Sequence, residues 1–309
     1  MFKMFLLLRF MTKYFSLYIC LFFSSAIAYG QDSDPLVERS SNTDKGLSMG
    51  LSVGAYFANK HTALLYDGYG FDVDGNRHNF ENSFMYNKIV LEYGGGYGQT
   101  DFIAQELGVA HGEWTFNESD MPTNMRYMPA FVVGLQGRYS VDSKNAILIH
   151  VNGSKINISG NFTITTTSST PFNQVPKNIQ TFAIRGIEQR LMLQFGYQRL
   201  LGESEKFNLL VEGGLNITIA KFDKNEILIN NLLIDLTQSL NNAAYPSYVI
   251  RKPIGTGFGA FAGVGLNANM SDNVKIQLVY NPSYEQIKLG KDSKLKFQHS
   301  INLRMYYNF

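Results

Sequence analysis

Cysteine, tryptophan and charged residues are all scarce in this chain. Of 309 residues one is cysteine and one is tryptophan, and 17% are charged, against about 25% in an average soluble protein. The single cysteine, Cys20, lies within the first thirty residues, so the remainder of the chain can form neither disulfides nor thiolate metal sites. Beyond residue 30 no apolar run approaches the roughly 20 residues that a spanning helix needs, which excludes a helical membrane protein.

The first thirty residues have the composition of an export signal. Cations at positions 3, 9 and 13 precede an apolar run over 15–23 and the small-residue site Ala26-Ile27-Ala28. We expect residues 1–30 to be removed, with cleavage after Ala28 or Gly30 and with Met11 as an alternative start. Residues 31–45 are then a periplasmic N-terminal segment. Lipidation of Cys20 is disfavoured because Ile19 occupies the position before it, where a small residue is required.

Loss of the signal changes the formal net charge from +2 to −1, because residues 1–30 contain three cations and no acid. A chain without surplus positive charge lacks the electrostatic footprint of a nucleic-acid-binding protein. We therefore expect no nucleic-acid partner.

Alternation of apolar and polar residues dominates the rest of the sequence. Over 46–57, apolar residues at every second position oppose serines and glycines, as in a strand with one apolar face. Within 145–165 the apolar residues change phase, which predicts a β-bulge near Gly153. The pattern predicts eight strands in an all-β chain, at 46–57, 127–140, 145–165, 190–198, 206–221, 256–270, 274–280 and 297–309.

The connections favour a membrane barrel over a soluble sandwich. Short polar turns at 141–144, 201–205 and 271–273 alternate with long loops at 58–126, 166–180 and 223–254, which is typical of transmembrane barrels with short periplasmic turns. Aromatic residues of the apolar face lie at both strand ends, like the interfacial belts of a bilayer protein. They are Tyr139, Tyr197, Phe207, Tyr307 and Phe309 at the short turns, and Phe57, Tyr127, Phe258, Tyr284 and Phe297 at the long loops.

The chain ends on an alternating strand with a terminal phenylalanine: Ile301, Leu303, Met305, Tyr307 and Phe309. This stretch resembles the carboxy-terminal signal of bacterial outer-membrane barrels, and the whole mature chain resembles the small eight-strand class typified by the OmpA membrane domain, OmpX and OmpW. Its Asn- and Tyr-rich character is similar to that of Bacteroidota members. The resemblance implies an eight-stranded antiparallel transmembrane β-barrel with long, partly helical extracellular loops. It also implies that outer-membrane lipid surrounds the barrel and that barrel assembly machinery reads its last strand.

Six charged residues fall on inward positions of the predicted strands: Arg138, Glu188, Arg190, Glu212, Lys275 and Arg304. Because eight strands leave an interior just wide enough for side chains, these residues predict a mutually neutralising charge network that fills the lumen. An ion-selective or gated pore is the alternative. The same charges on the lipid face would cost about 2–4 kcal/mol each at mid-membrane.

Catalytic and metal-binding patterns are poor. His299 and Ser300 are adjacent, so a strand places them on opposite faces, where they cannot act as base and nucleophile. The sequence Asp72-x-Asp74-x-Asn76 has the first spacings of a calcium loop but lacks its glycine and its closing glutamate. We predict no enzymatic activity, no metal and no cofactor.

The 223–254 loop carries a leucine stripe at four-residue spacing, formed by Leu228, Leu232, Leu236 and Leu240, after a capping-box pattern at Asp223-x-x-Glu226. We predict a helix here and a second helix over Thr100–Leu107, which ends at Gly108. The stripe could cover the barrel mouth, lie in the outer leaflet, pack against the 58–126 loop, or contact another outer-membrane protein.

The leading hypothesis for the function of the whole protein is a non-catalytic surface binding or scaffold protein. A narrow channel for small or apolar solutes is the alternative, and an outer-leaflet lipid-modifying enzyme stands third.

Overall fold

The predicted eight-stranded ring is present in the structure, a computed structural model. It describes residues 46–309 except 73–74, 97, 99, 168, 171–172, 175–177, 203, 205, 238–253 and 290–293. The expected signal peptide and the segment 31–45 lie outside the described residues and stay predictions. The eight long strands are β1 Gly46–Phe57, β2 Ala130–Ser140, β3 Asn145–Thr166, β4 Asn178–Leu201, β5 Phe207–Ile229, β6 Ile254–Asn269, β7 Val274–Lys288 and β8 Leu295–Asn308.

The ring closes between the first and last strands. Each strand pairs antiparallel with its neighbours in the sequence, and β1 pairs on its other edge with β8, where Met49 lies opposite Tyr307. Closure gives each of the eight long strands a partner on both edges, as a barrel in lipid requires. Among the described residues, no helix is long and apolar enough to cross a membrane.

Three neighbouring strands are about twice as long as a membrane crossing needs. β3, β4 and β5 contain 22, 24 and 23 residues, whereas a tilted transmembrane strand needs roughly 9–11. The predicted loops at 166–180 and 223–254 are therefore too long, because the strands continue through Thr166, from Asn178 and through Ile229. The short connections join β2 to β3, β4 to β5 and β6 to β7, as expected.

The polarity of the two faces of β3 inverts halfway along the strand. Ile147 and Ile149 are exposed on the outer surface, whereas Ile156, Ile158 and Phe162 are buried on the inner one. The pairing of β3 with β2 and β4 runs through Gly153 without a register shift. The predicted bulge at Gly153 is therefore wrong: the phase change marks the point where β3 leaves the lipid band and begins to enclose an apolar core. A register shift occurs instead where Asp223 is inserted opposite the Ile187–Glu188 step.

The first long connection folds into a cap inside the extended part of β3, β4 and β5. Its residues join those of the three strands in one apolar core, which includes Tyr66, Met85, Ile89, Phe116, Phe162, Phe182 and Phe222. Short elements build the cap: 3₁₀ turns at Lys60–Tyr66 and Glu118–Asp120, helical turns at Phe84–Tyr86 and Asn87–Glu92 (the latter π-helical), a helix at Phe102–Leu107, and strands at Trp114–Thr115, Arg126–Tyr127 and Leu232–Asp235. Ser169–Thr170 and Asn173–Gln174 pair with each other in the β3–β4 connection.

One of the two predicted helices is confirmed. Phe102–Leu107 is helical, the Asp101 carboxylate accepts a hydrogen bond from the Ala104 amide at 2.8 Å, and Gly108 ends the helix with a left-handed φ of 69°. Such a glycine is a common helix stop.

The other predicted helix is wrong over its described residues. Strand β5 runs through Leu228 to Ile229, turns at Asn230 and Asn231, and returns as the strand Leu232–Asp235. Asn230 has a positive φ of 48°, and asparagine tolerates this conformation in two-residue hairpin turns. Leu240 lies outside the described residues.

Candidate functional site

Charged and polar side chains cross the lumen near the cap. Arg190 on β4 donates from Nε to Glu188 Oε1 at 2.6 Å and from Nη1 to the Tyr56 hydroxyl on β1 at 2.8 Å. The same guanidinium donates to the amide oxygen of Gln298 on β8. Because β4 and β8 are diametrically opposite in a ring of eight, this contact spans the barrel interior. We call Tyr56, Glu188, Arg190, Glu285 and Gln298 the outer lumen cluster.

Glu285 completes the outer lumen cluster from β7. Its carboxylate accepts hydrogen bonds from Asn216 Nδ2 at 2.7 Å, from the Thr218 hydroxyl and from the Gln298 amide. Only 1% of Glu285 is exposed. A buried carboxylate is tolerated when its oxygens are satisfied in this way.

A second set of contacts closes the lumen nearer the short turns. Arg304 on β8 forms a two-pronged ion pair with Glu212 on β5, at 2.7 and 2.9 Å. Gln198 links this pair to Arg138, whose Nε donates to the Gln198 oxygen at 3.0 Å. We call Arg138, Gln198, Glu212, Gln277 and Arg304 the inner lumen cluster, since Gln277 also exchanges hydrogen bonds with Gln198.

Five of the six predicted lumen charges are thus buried inside the barrel: Arg138, Glu188, Arg190, Glu212 and Arg304. The sixth, Lys275, is half-buried on an inward position of β7 beside the 270–273 turn. Arg138 is paired through neutral groups, with Ser140 as a second acceptor at 2.6 Å. The contacts of the five buried residues form two clusters, each of which contains both signs of charge.

Sequence reasoning missed Glu285 and Tyr56. The predicted seventh strand ended at residue 280, so Glu285 fell outside it, although 275, 277, 279, 281, 283 and 285 share one phase of β7. Tyr56 occupies the polar phase of the first strand, together with Ser48 and Ser52. Continuing each alternation to the end of its strand would have found both residues.

Tyr66 joins the outer lumen cluster to the core of the cap. Its ring stacks on Phe222 with centroids 4.4 Å apart, and its hydroxyl donates to Glu188 Oε2 at 3.2 Å. The backbone of Gly186 lies directly beneath this ring: a Cβ added at Gly186 would lie 2.4 Å from Tyr66 Cδ1. Burial and then the Glu188 carboxylate raise the pKa of the Tyr66 phenol, which therefore remains a hydrogen-bond donor.

Tyr127 contacts the same cluster, which corrects its predicted place in the aromatic belt. Its hydroxyl donates to Glu188 Oε2 at 2.6 Å and pairs with the Thr62 hydroxyl at 2.9 Å. The hydroxyl therefore points into the barrel mouth rather than toward lipid, because the strand β2 begins only at Ala130. Glu188 consequently receives hydrogen bonds from β4 and from two segments of the cap.

A buried acid within the cap fixes the segment after Tyr66. Asp67 accepts a hydrogen bond from the Tyr69 amide at 3.0 Å and pairs with Arg77, whose guanidinium lies 3.8 Å from the centroid of the Tyr69 ring. Burial raises the pKa of the Asp67 carboxyl, while the Tyr69 amide and Arg77 oppose that rise. The arrangement holds the turn between the 3₁₀ segment and the next part of the cap.

The predicted leucine interface is not a continuous exposed stripe. Leu236 is fully buried in the core of the cap, and Leu232 packs against that core. Leu228 is half-buried on the outer face of β5, opposite the exposed Leu233. The reason is the hairpin turn, which separates the leucines onto two faces of a small sheet.

The residues of the predicted assembly signal all face outward. Ile301, Leu303, Met305 and Tyr307 are between 40% and 48% exposed, and Phe309 is 70% exposed. Phe309 also donates its backbone amide to the carbonyl of Leu47 at 3.3 Å, beside the closing edge of the ring. Outward-facing side chains in such a row can contact lipid in the finished barrel. Before the ring of strands closes, the same side chains are accessible to the assembly machinery.

His299 and Ser300 lie on opposite faces of β8, as their adjacent positions predict. The His299 ring faces outward and stacks on Phe57 with centroids 4.7 Å apart, whereas the Ser300 hydroxyl accepts a hydrogen bond from Asn302 on the inner face. In the part of the chain that the structure describes, no group of three or more His, Cys, Asp or Glu residues is arranged to hold a metal ion. Asp74, part of the weak calcium-like pattern, lies outside the described residues.

The outer surface of the barrel is apolar where its interior is polar. Large exposed side chains include Leu135, Ile149, Phe195, Leu215, Val264, Leu278 and Leu303, one or more from each of seven strands. This inversion of the usual arrangement, around an ion-paired interior, defines a transmembrane β-barrel.

No protein-family model matches the chain, and no curated protein matches it. Among solved structures it is similar to the outer membrane protein OprG of Pseudomonas aeruginosa, with 7% identity over 86% of this chain and 94% of that one and a TM-score of 0.36. It is also similar to the Yersinia pestis attachment invasion locus protein Ail, solved with the heparin analogue sucrose octasulfate, with 15% identity over 86% and 98% of the two chains and a TM-score of 0.30. Similarities this low assign no family, ligand or activity to this chain.

Proposed function

We propose that this chain is an exported protein of the bacterial outer membrane, belonging to the small eight-strand class and to a Bacteroidota-type Gram-negative organism. The export signal in the sequence, the closed ring and the outward apolar row ending at Phe309 support this location. From Leu295 to Asn308 the last strand β8 is about 43 Å long at roughly 3.3 Å per residue, which gives about 33 Å of height at a 40° tilt. That height is sufficient for a bilayer.

The proposed role is non-catalytic surface binding or scaffolding by the cap. The observation that carries this proposal is the closure of the lumen: the outer and inner lumen clusters both join opposite or nearly opposite strands. A barrel filled in this way has little capacity to conduct ions or solutes, so we assign the proposed function to the cap. The partner is a second outer-membrane protein or a ligand at the cell surface, and the alternative of a narrow solute channel requires an open lumen.

The orientation has a direct test in intact cells. The short turns are proposed to face the periplasm, so a protease added outside should cut within 58–126 or at the β5 hairpin and leave 202–206 intact. Cleavage within 202–206 in unbroken cells would reverse the orientation and remove the basis for a surface role.

The binding role is tested by crosslinking in gently solubilised outer membranes. Gly186→Ala should disturb the cap through Tyr66, whereas Gly153→Ala, on the same sheet, places its Cβ no closer than 4.0 Å to another group. We expect specific crosslinks of the wild type to be lost in Gly186→Ala and kept in Gly153→Ala. Equal crosslinking by all three proteins, with both variants fully inserted, would contradict a role for the cap.

A further inference from the structure

The outer face of the extended sheet carries a cluster of cations immediately beyond the lipid band. The last apolar row across β3, β4 and β5 consists of Gly153, Leu191 and Ile219, which are in register. The next row on this face, one step closer to the cap, consists of Lys155, Gln189 and Lys221. On β3 and β5 the change to a lysine thus takes a single step of the strand repeat, whereas β4 has Gln189 at this position.

Three more cations lie on the same face within the next two rows. Lys224 is in register with Ile187, and Arg126, Ser159 and Arg185 form a row across neighbouring strands. With Lys155 and Lys221 these make five cations, and they accompany two acids, Asp223 and Glu226, so the face has a net charge of +3. We call Arg126, Lys155, Arg185, Lys221 and Lys224 the basic face.

Two acids lie among these cations and leave them in excess. Asp223 accepts a hydrogen bond from the Gln189 amide at 3.2 Å, and Glu226 lies opposite Arg185 in the register. Arg126, Lys155, Arg185 and Lys224 are all exposed. Neighbouring strands are about 4.8 Å apart and residues about 3.3 Å apart along a strand, so the basic face, which spans four strands, covers roughly 14 by 13 Å.

We propose that the basic face binds the phosphorylated headgroup of a glycolipid in the outer leaflet, an inference that rests on the proposed outer-membrane location. The position of the basic face along the barrel axis fits this ligand. Side chains one to three rows beyond the apolar band lie at the depth of lipid headgroups rather than in free solvent. Its charge also fits, since clustered lysine and arginine residues beside a membrane recognise anionic headgroups, and guanidinium groups bind phosphate oxygens in pairs.

The basic face is confined to one side of the barrel, the side that carries the cap. On the other side, the outward residues described on β7 beyond Tyr284 are Gln286 and Lys288. Lys288 is therefore a single cation, and its neighbour on β6 is the uncharged Thr256. Glycolipid bound to the basic face would therefore support the protruding sheet on its outer surface while the cap core supports its inner one.

The test uses native mass spectrometry of the purified full-length protein in neutral detergent with bisphosphorylated lipid A. The triple variant Lys155→Gln, Arg185→Gln and Lys224→Gln should bind this lipid about tenfold or more weakly than the wild type. The matched control, Lys60→Gln, Lys288→Gln and Lys294→Gln, removes three exposed cations at the same end of the barrel and should bind normally. Replacing Lys155 and Lys224 with Arg, and Arg185 with Lys, should also preserve binding.

Three results would overturn the proposal. They are equal loss of binding in the matched control, equal binding of lipid A whose phosphates have been removed, and displacement of the lipid by inorganic phosphate at matched phosphate concentration, which would point to a free-anion site. Heat-modifiability on unboiled gels verifies that each variant is folded. Failure of the outer-membrane location is detected separately, by fractionation of cells that produce the wild type.

Discussion

Arg304 and Glu212 face each other across the barrel interior and form an ion pair with two contacts, at 2.7 and 2.9 Å. The two residues lie on strands three positions apart in the ring, so the pair crosses the lumen instead of running along its wall. Both side chains are almost completely shielded from solvent. The pair therefore both blocks the lumen and ties the closing strand to the opposite side of the barrel.

Removing one partner of this pair should destabilise the barrel strongly. Glu212→Gln leaves the buried Arg304 without its counter-charge, and breaking a buried pair in this way typically costs about 3–5 kcal/mol. The cost is measured as the free energy of unfolding in urea with the protein in lipid vesicles. A double variant, Glu212→Leu with Arg304→Met, should be closer to the wild type because no unpaired charge remains. Equal stability of Glu212→Gln and the wild type would show that the pair is not formed in the membrane.

Gly186→Ala should loosen the cap without opening the ring of strands. The added methyl would lie 2.4 Å from Tyr66 Cδ1, so Tyr66 must move off Phe222, at about 1–3 kcal/mol for overpacking. Limited proteolysis of the inserted protein should cut the 58–126 segment faster while the barrel fragment stays resistant. Gly153→Ala is the control and should be digested like the wild type. A cap equally resistant in both variants would contradict the Tyr66–Gly186 contact.

The same substitution at two leucines of the β5 hairpin should change the stability of the cap to different extents. Leu236 is fully buried, whereas Leu233 is 57% exposed. Leu236→Ala should lower the stability of the cap by about 2–5 kcal/mol through loss of buried surface and the cavity left behind; Leu233→Ala should change it little. Hydrogen exchange of the cap amides measures the difference. Similar exchange in both variants would mean that the hairpin does not pack as described.

Deletion of Phe309 should slow assembly more than it destabilises the finished barrel. The side chain is 70% exposed, so its packing contributes little, whereas the resemblance to outer-membrane proteins implies that assembly machinery reads this terminus. Pulse-chase labelling should reveal slower appearance of the heat-modifiable form. Phe207→Ala alters an aromatic residue of similar exposure at the same end of the barrel and serves as the control. An unchanged rate after deletion would make the terminal resemblance fortuitous.

The sequence was sufficient to predict the eight strands because lipid outside and polar groups inside impose a strict two-residue period. The same period placed Arg138, Glu188, Arg190, Glu212 and Arg304 inside. It failed in the upper halves of β3, β4 and β5, where the inner face becomes apolar to hold the cap, so that Ile156 and Ile158 looked like a slipped register.

The leucine hairpin illustrates a second limit. Apolar residues on both sides of a two-residue turn repeat at intervals of about four, and Leu228, Leu232 and Leu236 therefore imitate one face of a helix. Only the cap core, which is assembled from segments distant in the sequence, selects the hairpin. The contacts of Tyr66 with Phe222 and Glu188 are equally inaccessible to local patterns, because they join a loop to two strands more than a hundred residues away.

A filled barrel that anchors its cap should not conduct ions. Single-channel recording of the purified, folded protein in a planar lipid bilayer tests this most directly, with a general porin in the same bilayer as the positive control. The predicted result is insertion, verified by heat-modifiability of protein recovered from the lipid, with no resolved conductance steps. Reproducible openings of the wild type would contradict the claim and favour the solute channel.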